Sequence, residues 1–164
     1  MFDLYCKIDG VPGECTEKDH KDWIECLGVD HLVKQPTSAS RSDKGGASVE
    51  RADHGDVYVQ KQLDKTSPKL TLLCHQGKHI KEVLLDFCRA SEPKVKYLQI
   101  KMNEVIISEV SLNGSAQAEG GFPTERVGFN YGKIDWTYTQ QKRSDGSGGG
   151  QVNSKIDLET QTSS

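Results

Sequence analysis

The sequence has few hydrophobic residues and lacks a long hydrophobic run. Hydrophobic residues make up 34% of the 164-residue chain, which is low for a folded domain. No apolar stretch approaches the ~20 residues that a transmembrane helix needs, so we predict no membrane insertion. The segment Met1–Gly10 does not combine a basic region with an apolar core, and no secretory signal peptide is predicted. We therefore expect a protein that is made in the cytoplasm.

An excess of charge of one sign is also missing. The formal net charge is −3 and the isoelectric point is about 6.0, whereas nucleic-acid-binding domains usually carry a basic stripe or a high isoelectric point. Nucleic acid is therefore not an expected partner. The cysteines number five, an odd count, and they lack the CxxC spacing of zinc sites. We expect free thiols, no metal and no other cofactor.

Alternation of apolar and polar residues is the strongest pattern that the sequence does contain. From Phe2 to Ile8 the apolar residues occupy every second position, which predicts a half-buried strand. Similar alternation recurs along the chain and predicts further strands at 23–33, around 57–63, and at 79–90, 98–112 and 125–139.

The only convincing helix is TSPKLTLLCHQG, residues 66–77. Thr66 or Ser67 can cap its start, Pro68 suits the first turn, and Gly77 suits the left-handed conformation that ends a helix. Many strands with one short helix predict a mainly β fold, a small β-barrel or two-sheet sandwich. We assign the barrel to residues 1–142 and a Gly/Ser-rich tail to residues 143–164.

The two long strands carry a finer pattern. In 125–139 the apolar phase changes between Tyr131 and Ile134, and an inserted residue would explain the change. We therefore predict a β-bulge near Gly132. In the preceding strand one shared face is predicted for Leu98, Ile100, Met102, Ile106, Val110 and Leu112.

Ionisable residues in the patterned segments have ordinary explanations. Cys74, His75 and His79 lack zinc-site spacing, and adjacent helical side chains point about 100° apart, so we expect neither a metal site nor a nucleophile–base pair. Carboxylates at polar strand positions are predicted to be solvated, namely Asp3, Asp9, Glu82, Asp86 and Glu104. No catalytic residue is predicted, and an enzyme is not expected.

The order of several segments is more specific than any one of them. Gly10, Gly13-Glu14, His20 and Ile24 follow the first strand. LDKTSPKLTLLCHQGKHIKEV, YLQIKMNEVIISEVS and ERVGFNYGKIDWTY come next, and the tail places glycines before an aspartate and an aliphatic residue. Together these segments resemble the haemolysin-coregulated protein (Hcp) family over nearly the whole chain.

The resemblance implies the inner tube of a bacterial type VI secretion system. In that family the barrel assembles as a hexameric ring with a wide lumen, and rings stack into a tube. A contractile sheath propels the tube out of the cell beneath a spike protein, and some members shelter effector proteins in the lumen. The implied partners are therefore other copies of the chain, the spike, the sheath and cargo effectors, with export to the exterior or a target cell.

The chain departs from the family pattern at two places. Many members carry tryptophan, a small residue and tryptophan where this chain has Val29, Asp30 and His31, and Ile156 stands where an aromatic residue is usual. The strand resembles the one that lines the lumen, so Asp30 is a candidate for contact with cargo. The alternative is that Asp30 is an ordinary exposed strand residue.

Residues 34–56 are polar and show little periodicity, which predicts a long loop or a loose hairpin. The matching loop of the family projects from the ring and meets the next ring. The resemblance thus makes its charged residues candidates for ring stacking: Arg41, Asp43, Lys44, Glu50 and Arg51. Their mixed charge is also compatible with a loop that is merely solvated.

Two other functional classes remain open at this point. An enzyme domain would need a pocket in which titratable groups converge. A carbohydrate- or ligand-binding β-sandwich module would expose aromatic residues on one face, whereas Phe129, Trp136 and Tyr138 alternate as core residues do.

Overall fold

The computed structural model describes residues 1–37, 51–117, 119–141 and 148–164. These residues form eleven strands, one α-helix and a short 3-10 turn at Lys18–His20. The elements in chain order are β1 (Phe2–Ile8), β2 (Ile24–Cys26), β3 (Gly28–Asp30), β4 (Val33–Lys34), β5 (Asp53–His54), β6 (Val57–Gln62), α1 (Ser67–Gln76), β7 (His79–Arg89), β8 (Lys96–Asn113), β9 (Thr124–Gln141), β10 (Gly148–Asp157) and β11 (Thr162–Ser163).

The strands close into a barrel. β1, β7, β8 and β9 are antiparallel neighbours in that order, and β6 pairs with the first half of β9. Closure depends on the segment from Ile24 to Asp30, because β2 pairs with β1 while β3 pairs with β6. Between them the Leu27 amide donates to the Gln60 carbonyl at 2.6 Å. The mainly β prediction, with one short helix, is confirmed.

The second predicted strand is broken rather than continuous. Residues 23–33 form β2, β3 and the start of β4, and β4 leaves the barrel to pair with β5 as a separate hairpin. Residues 148–164, assigned above to a tail, form β10 and β11 on the second half of β9. None of the helices in the described residues is long and apolar enough to cross a membrane.

The change of apolar phase occurs without a bulge at Gly132. Register is unbroken there, since Asn103 pairs with Lys133 and Val105 pairs with Tyr131. The register shift of this strand pair falls instead between Ile107 and Glu109. The predicted bulge position was therefore wrong.

A kink in β8, opposite Gly132 of β9, explains the change of apolar phase in both strands. Glu104 in β8 has φ 51, which turns the strand so that the following side chain returns to the buried face. Gly132 lies opposite, where a Cβ atom would come within 3.1 Å of the Glu104 Cβ. Consequently Val105 and Ile107 are buried in place of the predicted Ile106.

Helix α1 is present as predicted and packs on β8. Leu70 and Leu73 are buried beneath it, whereas Leu72 is 45% exposed. Gly77 ends the helix with φ 57, and its amide donates to the Cys74 carbonyl at 3.1 Å. The Thr66 side chain makes no capping hydrogen bond. Its hydroxyl donates to Asp64 Oδ1 instead.

Candidate functional site

Asp30 lies at the end of β3, on the outer surface of the barrel wall formed with β6. Its side chain is exposed and forms no hydrogen bond or ion pair with any described residue. Beside it the Arg126 guanidinium stacks 3.7 Å from the centre of the Tyr58 ring and donates to Glu109 Oε1 at 3.2 Å. A shallow cavity of about 290 Å³ includes Asp30, Tyr58, Arg126 and Asp56 in its wall. This surface therefore exposes a free carboxylate beside an engaged arginine.

A hydroxyl bridged by two histidines lies next to this surface. The Tyr131 Oη is 2.8 Å from His31 Nε2 and 3.1 Å from His54 Nδ1. His31 also stacks on Trp136, with ring centres 5.9 Å apart. His31 precedes β4 and His54 ends β5, so Tyr131 of the barrel contacts both arms of the β4–β5 hairpin.

Burial controls the titration of this group. It raises the pKa of Tyr131 to about 12, with a further contribution from the charge of Asp56. Burial and the nearby His54 lower the pKa of His31 below the ordinary histidine value of 6.5. Both shifts favour the uncharged forms that a buried hydrogen-bonded group requires.

A buried ion-pair network lies at the start of α1. Lys61 is 1% exposed, and its Nζ lies 2.7 Å from Glu125 Oε2 and 3.0 Å from Asp64 Oδ1. Glu125 also accepts a hydrogen bond from the Ser67 hydroxyl at 2.6 Å. The network joins β6, β9 and α1, and the sequence analysis did not find it.

A second polar cluster corrects the prediction for Asp86. Asp86 is 3% exposed, because the connection from β1 to β2 covers this face of β7. His20 from that connection places Nε2 3.1 Å from Asp86 Oδ2 and Nδ1 2.6 Å from Glu17 Oε2. The hydrogen bond from His20 lowers the pKa of Glu17. His20 also stacks on Tyr5 at 4.1 Å, so the cluster fastens the connection to the sheet.

Both the sequence and the closed barrel with one docked helix match known proteins. A sequence model of the family described as "Type VI secretion system effector, Hcp" matches residues 5–138. The chain belongs to the Hcp family. The protein named hcp1 of Pseudomonas aeruginosa is 32% identical over 151 residues, covering 92% of this chain and 91% of that protein.

Solved structures agree with the assignment. A structure described as that of a type six secretion system protein superposes with a TM-score of 0.92 at 28% identity and covers 100% of both chains. Hcp1 from Salmonella typhimurium gives a TM-score of 0.81 at 25% identity and covers 99% of both chains. The Hcp-family chain is thus a type VI secretion tube protein. Members of this family assemble as hexameric rings.

The candidate residues of the loop are only partly described in this Hcp-family chain. Arg41, Asp43, Lys44 and Glu50 lie outside the described residues. Arg51 is exposed, two residues before β5, on the loop side of the hairpin. Asp30 is on β3, the strand that leads through His31 into the other arm of the same hairpin.

All five cysteines are free thiols, as expected. Within residues 1–37, 51–117, 119–141 and 148–164, no group of three or more histidine, cysteine, aspartate or glutamate side chains is placed to hold a metal ion.

Proposed function

We propose that hexameric rings of this chain stack into the inner tube of a type VI secretion machine and are expelled with cargo effectors. A spike protein at the tip and a contractile sheath around the tube are the proposed partners. The subunit is made in the cytoplasm, exported to the exterior or a target cell, and acts structurally rather than as an enzyme. Family membership and the exposed strand edges described next support this proposal.

The unpaired outer edge of β10 is the main structural support for ring assembly. β10 pairs with β9 on one side, whereas β11 and Ser164 cover the other side from Lys155 to Asp157. Among the described residues, no strand pairs with the rest of that edge from Gly148 to Ser154. An open edge is an aggregation hazard in a monomer, and a head-to-tail ring would bury it in a repeated contact.

Exposed apolar side chains at both ends of the β8–β9 hairpin also support an interface. Leu112 and Phe122 lie at its turn end and are 64% and 58% exposed. Tyr138 and Val152 are cross-strand neighbours at the opposite end and are 46% and 67% exposed. Large exposed apolar groups are typical of surfaces that contact another protein.

Asp30 is proposed to face the lumen and to act on cargo rather than on ring assembly. Its carboxylate is exposed and unpaired among the described residues, so replacing it breaks no side-chain hydrogen bond or ion pair with any of them. Asp30→Arg would invert the charge at six places around a hexameric ring, and charges that line a cavity focus their field on its contents. We expect altered cargo retention with unchanged ring mass.

Native mass spectrometry and effector co-purification test this expectation. Asp30→Asn, which removes the charge without inverting it, is the matched control and should have an intermediate effect on cargo. Loss of rings in Asp30→Arg would instead place Asp30 at a subunit interface and refute the lumen assignment.

The loop that spans residues 34–56 is proposed to hold rings in a stack. Its candidates Arg41, Asp43, Lys44, Glu50 and Arg51 include both signs of charge, so contacts between rings would be weak and partly salt-sensitive. Both ends of this loop lie in the hairpin of β4 and β5, whose strands pair with no other strand in the part of the chain that the structure describes.

Deleting residues 40–48 tests the stacking role. Closure entropy depends only logarithmically on loop length, so the domain should still fold and form rings. We expect unchanged ring mass, loss of tubes in electron micrographs and loss of secretion. A control replaces the same residues with glycine and serine at equal length and separates loop chemistry from loop length. Normal tubes and normal secretion after deletion would show that the loop is only a solvated connection.

A further inference from the structure

The β4–β5 hairpin continues the barrel strands β3 and β6, and both of its arms contact the same phenolic hydroxyl. His31 precedes β4, His54 belongs to β5, and both rings lie within 3.1 Å of Tyr131 Oη on β9. The hairpin itself is small, with β4 and β5 two residues each and Val33 paired with His54. So short a hairpin is marginal alone, and its position depends on such side-chain contacts.

Two imidazole rings share the Tyr131 hydroxyl, which has one hydrogen to donate. Its oxygen lies 2.8 Å from His31 Nε2 and 3.1 Å from His54 Nδ1. When both rings are neutral, the hydroxyl donates to one ring nitrogen and accepts from the N–H of the other. A neutral ring can carry its proton on either nitrogen, so the chain can run in either direction and is satisfied in both.

We propose that this hydrogen-bond chain is an acid-sensitive latch, which holds the β4–β5 hairpin on the barrel at neutral pH and releases it in acid. In acid, protonation of both rings turns His31 Nε2 and His54 Nδ1 into donors aimed at the same Tyr131 oxygen. The Tyr131 hydrogen then has no acceptor on either ring, and two positive charges flank the hydroxyl. An unsatisfied buried donor and an uncompensated charge both favour detachment.

The direction of the pH effect follows from linkage. The pKa of His31 is lowered in the latched state by burial and then by His54, so the detached state takes up the proton more readily. The latch is complete above the ordinary histidine pKa of 6.5 and weakens as the pH falls through and below that value. Tyr131 cannot relieve the conflict by ionising, because burial raises its pKa to about 12.

Among the described residues no charged group is hydrogen-bonded to the Tyr131 hydroxyl in place of the two rings. Asp56 acts on Tyr131 by its charge, and its oxygens accept from the Ser108 hydroxyl at 2.7 Å and from the Asn130 amide at 2.9 Å. Asp30 and Arg126 line the cavity beside His31, and Arg126 is engaged by Glu109.

Hydrogen–deuterium exchange of the full chain across a pH series tests the latch. Rates are corrected for intrinsic exchange, which itself slows in acid. Between about pH 8 and about pH 5 we expect protection in peptides of residues 31–36 and 51–56 to fall by about tenfold, with β8 peptides unchanged. The Gly55 amide, which donates to the Leu32 carbonyl at 2.8 Å, is the most direct reporter.

Variants separate the latch from other causes of pH dependence. Tyr131→Phe keeps the buried ring but removes the hydroxyl, and should give low hairpin protection at every pH. His31→Gln keeps an acceptor that does not titrate, and should remove the pH dependence. His75→Gln, on the exposed side of α1, should behave as the parent chain. Protection that is independent of pH in the parent, or an unchanged pH dependence in Tyr131→Phe, would overturn the proposal.

A consequence for the tube rests on the proposed stacking role of the loop that this hairpin carries. Acid should then loosen the stack while rings persist. Imaging the same samples distinguishes the two ideas: hairpin opening with intact tubes would refute the stacking role and leave the latch standing. Tubes that dissociate without hairpin opening would refute the latch.

Discussion

Lys61→Met lowers the free energy of unfolding by about 3–5 kcal/mol, because it leaves a buried carboxylate without its cation. Lys61 Nζ lies 2.7 Å from Glu125 Oε2, and Glu125 is 4% exposed. Methionine fills a similar volume, so the loss is electrostatic rather than a cavity. Urea denaturation followed by circular dichroism measures the change at one fixed protein concentration, since assembly contributes to apparent stability.

A second substitution separates lost charge from lost packing. Lys61→Met combined with Glu125→Gln removes both charges and keeps an acceptor for the Ser67 hydroxyl, so most of the loss should be recovered. Lys81→Met replaces an exposed strand lysine and should change stability by no more than about 0.5 kcal/mol. Equal effects of Lys61→Met and Lys81→Met would show that the network contributes nothing to stability.

Leu73→Asp prevents folding or yields insoluble protein. Leu73 is 5% exposed beneath α1, and burying an unpaired carboxylate costs several kcal/mol, comparable with the whole stability of a domain. Its neighbour provides the control, because Leu72 on the same helix is 45% exposed. Leu72→Asp should cost about 1 kcal/mol or less, mainly through helix propensity. Soluble Leu73→Asp protein with the parent circular dichroism spectrum would contradict this packing of α1.

Alternation of residue type predicted most strands and one face of each. For Lys61 and Glu125, residue polarity alone wrongly predicts exposure. Lys61 follows Val59 on the buried face of β6, and Glu125 precedes Val127 on the buried face of β9. A charged residue at an apolar position of the pattern is a signal for a buried pair, and it was present in the sequence. What the sequence could not show is that these two positions are directly paired on the neighbouring strands β6 and β9.

Tertiary contacts explain the remaining errors. Asp86 was assigned to a solvated face, yet a chain segment distant in sequence covers that face and brings His20 against it. The kink at Glu104 has no compositional signal, because a non-glycine residue with positive φ is stabilised by its surroundings. The Tyr131 latch likewise joins His31 and His54 to a strand far along the chain.

Ring formation is the central claim, and the mass of the purified chain in solution tests it most directly. Native mass spectrometry across a range of protein concentrations, combined with electron microscopy of the same samples, measures both stoichiometry and shape. The open β10 edge and the family assignment predict a hexamer seen as closed rings. A monomer at every concentration, with no rings in the micrographs, would contradict the account.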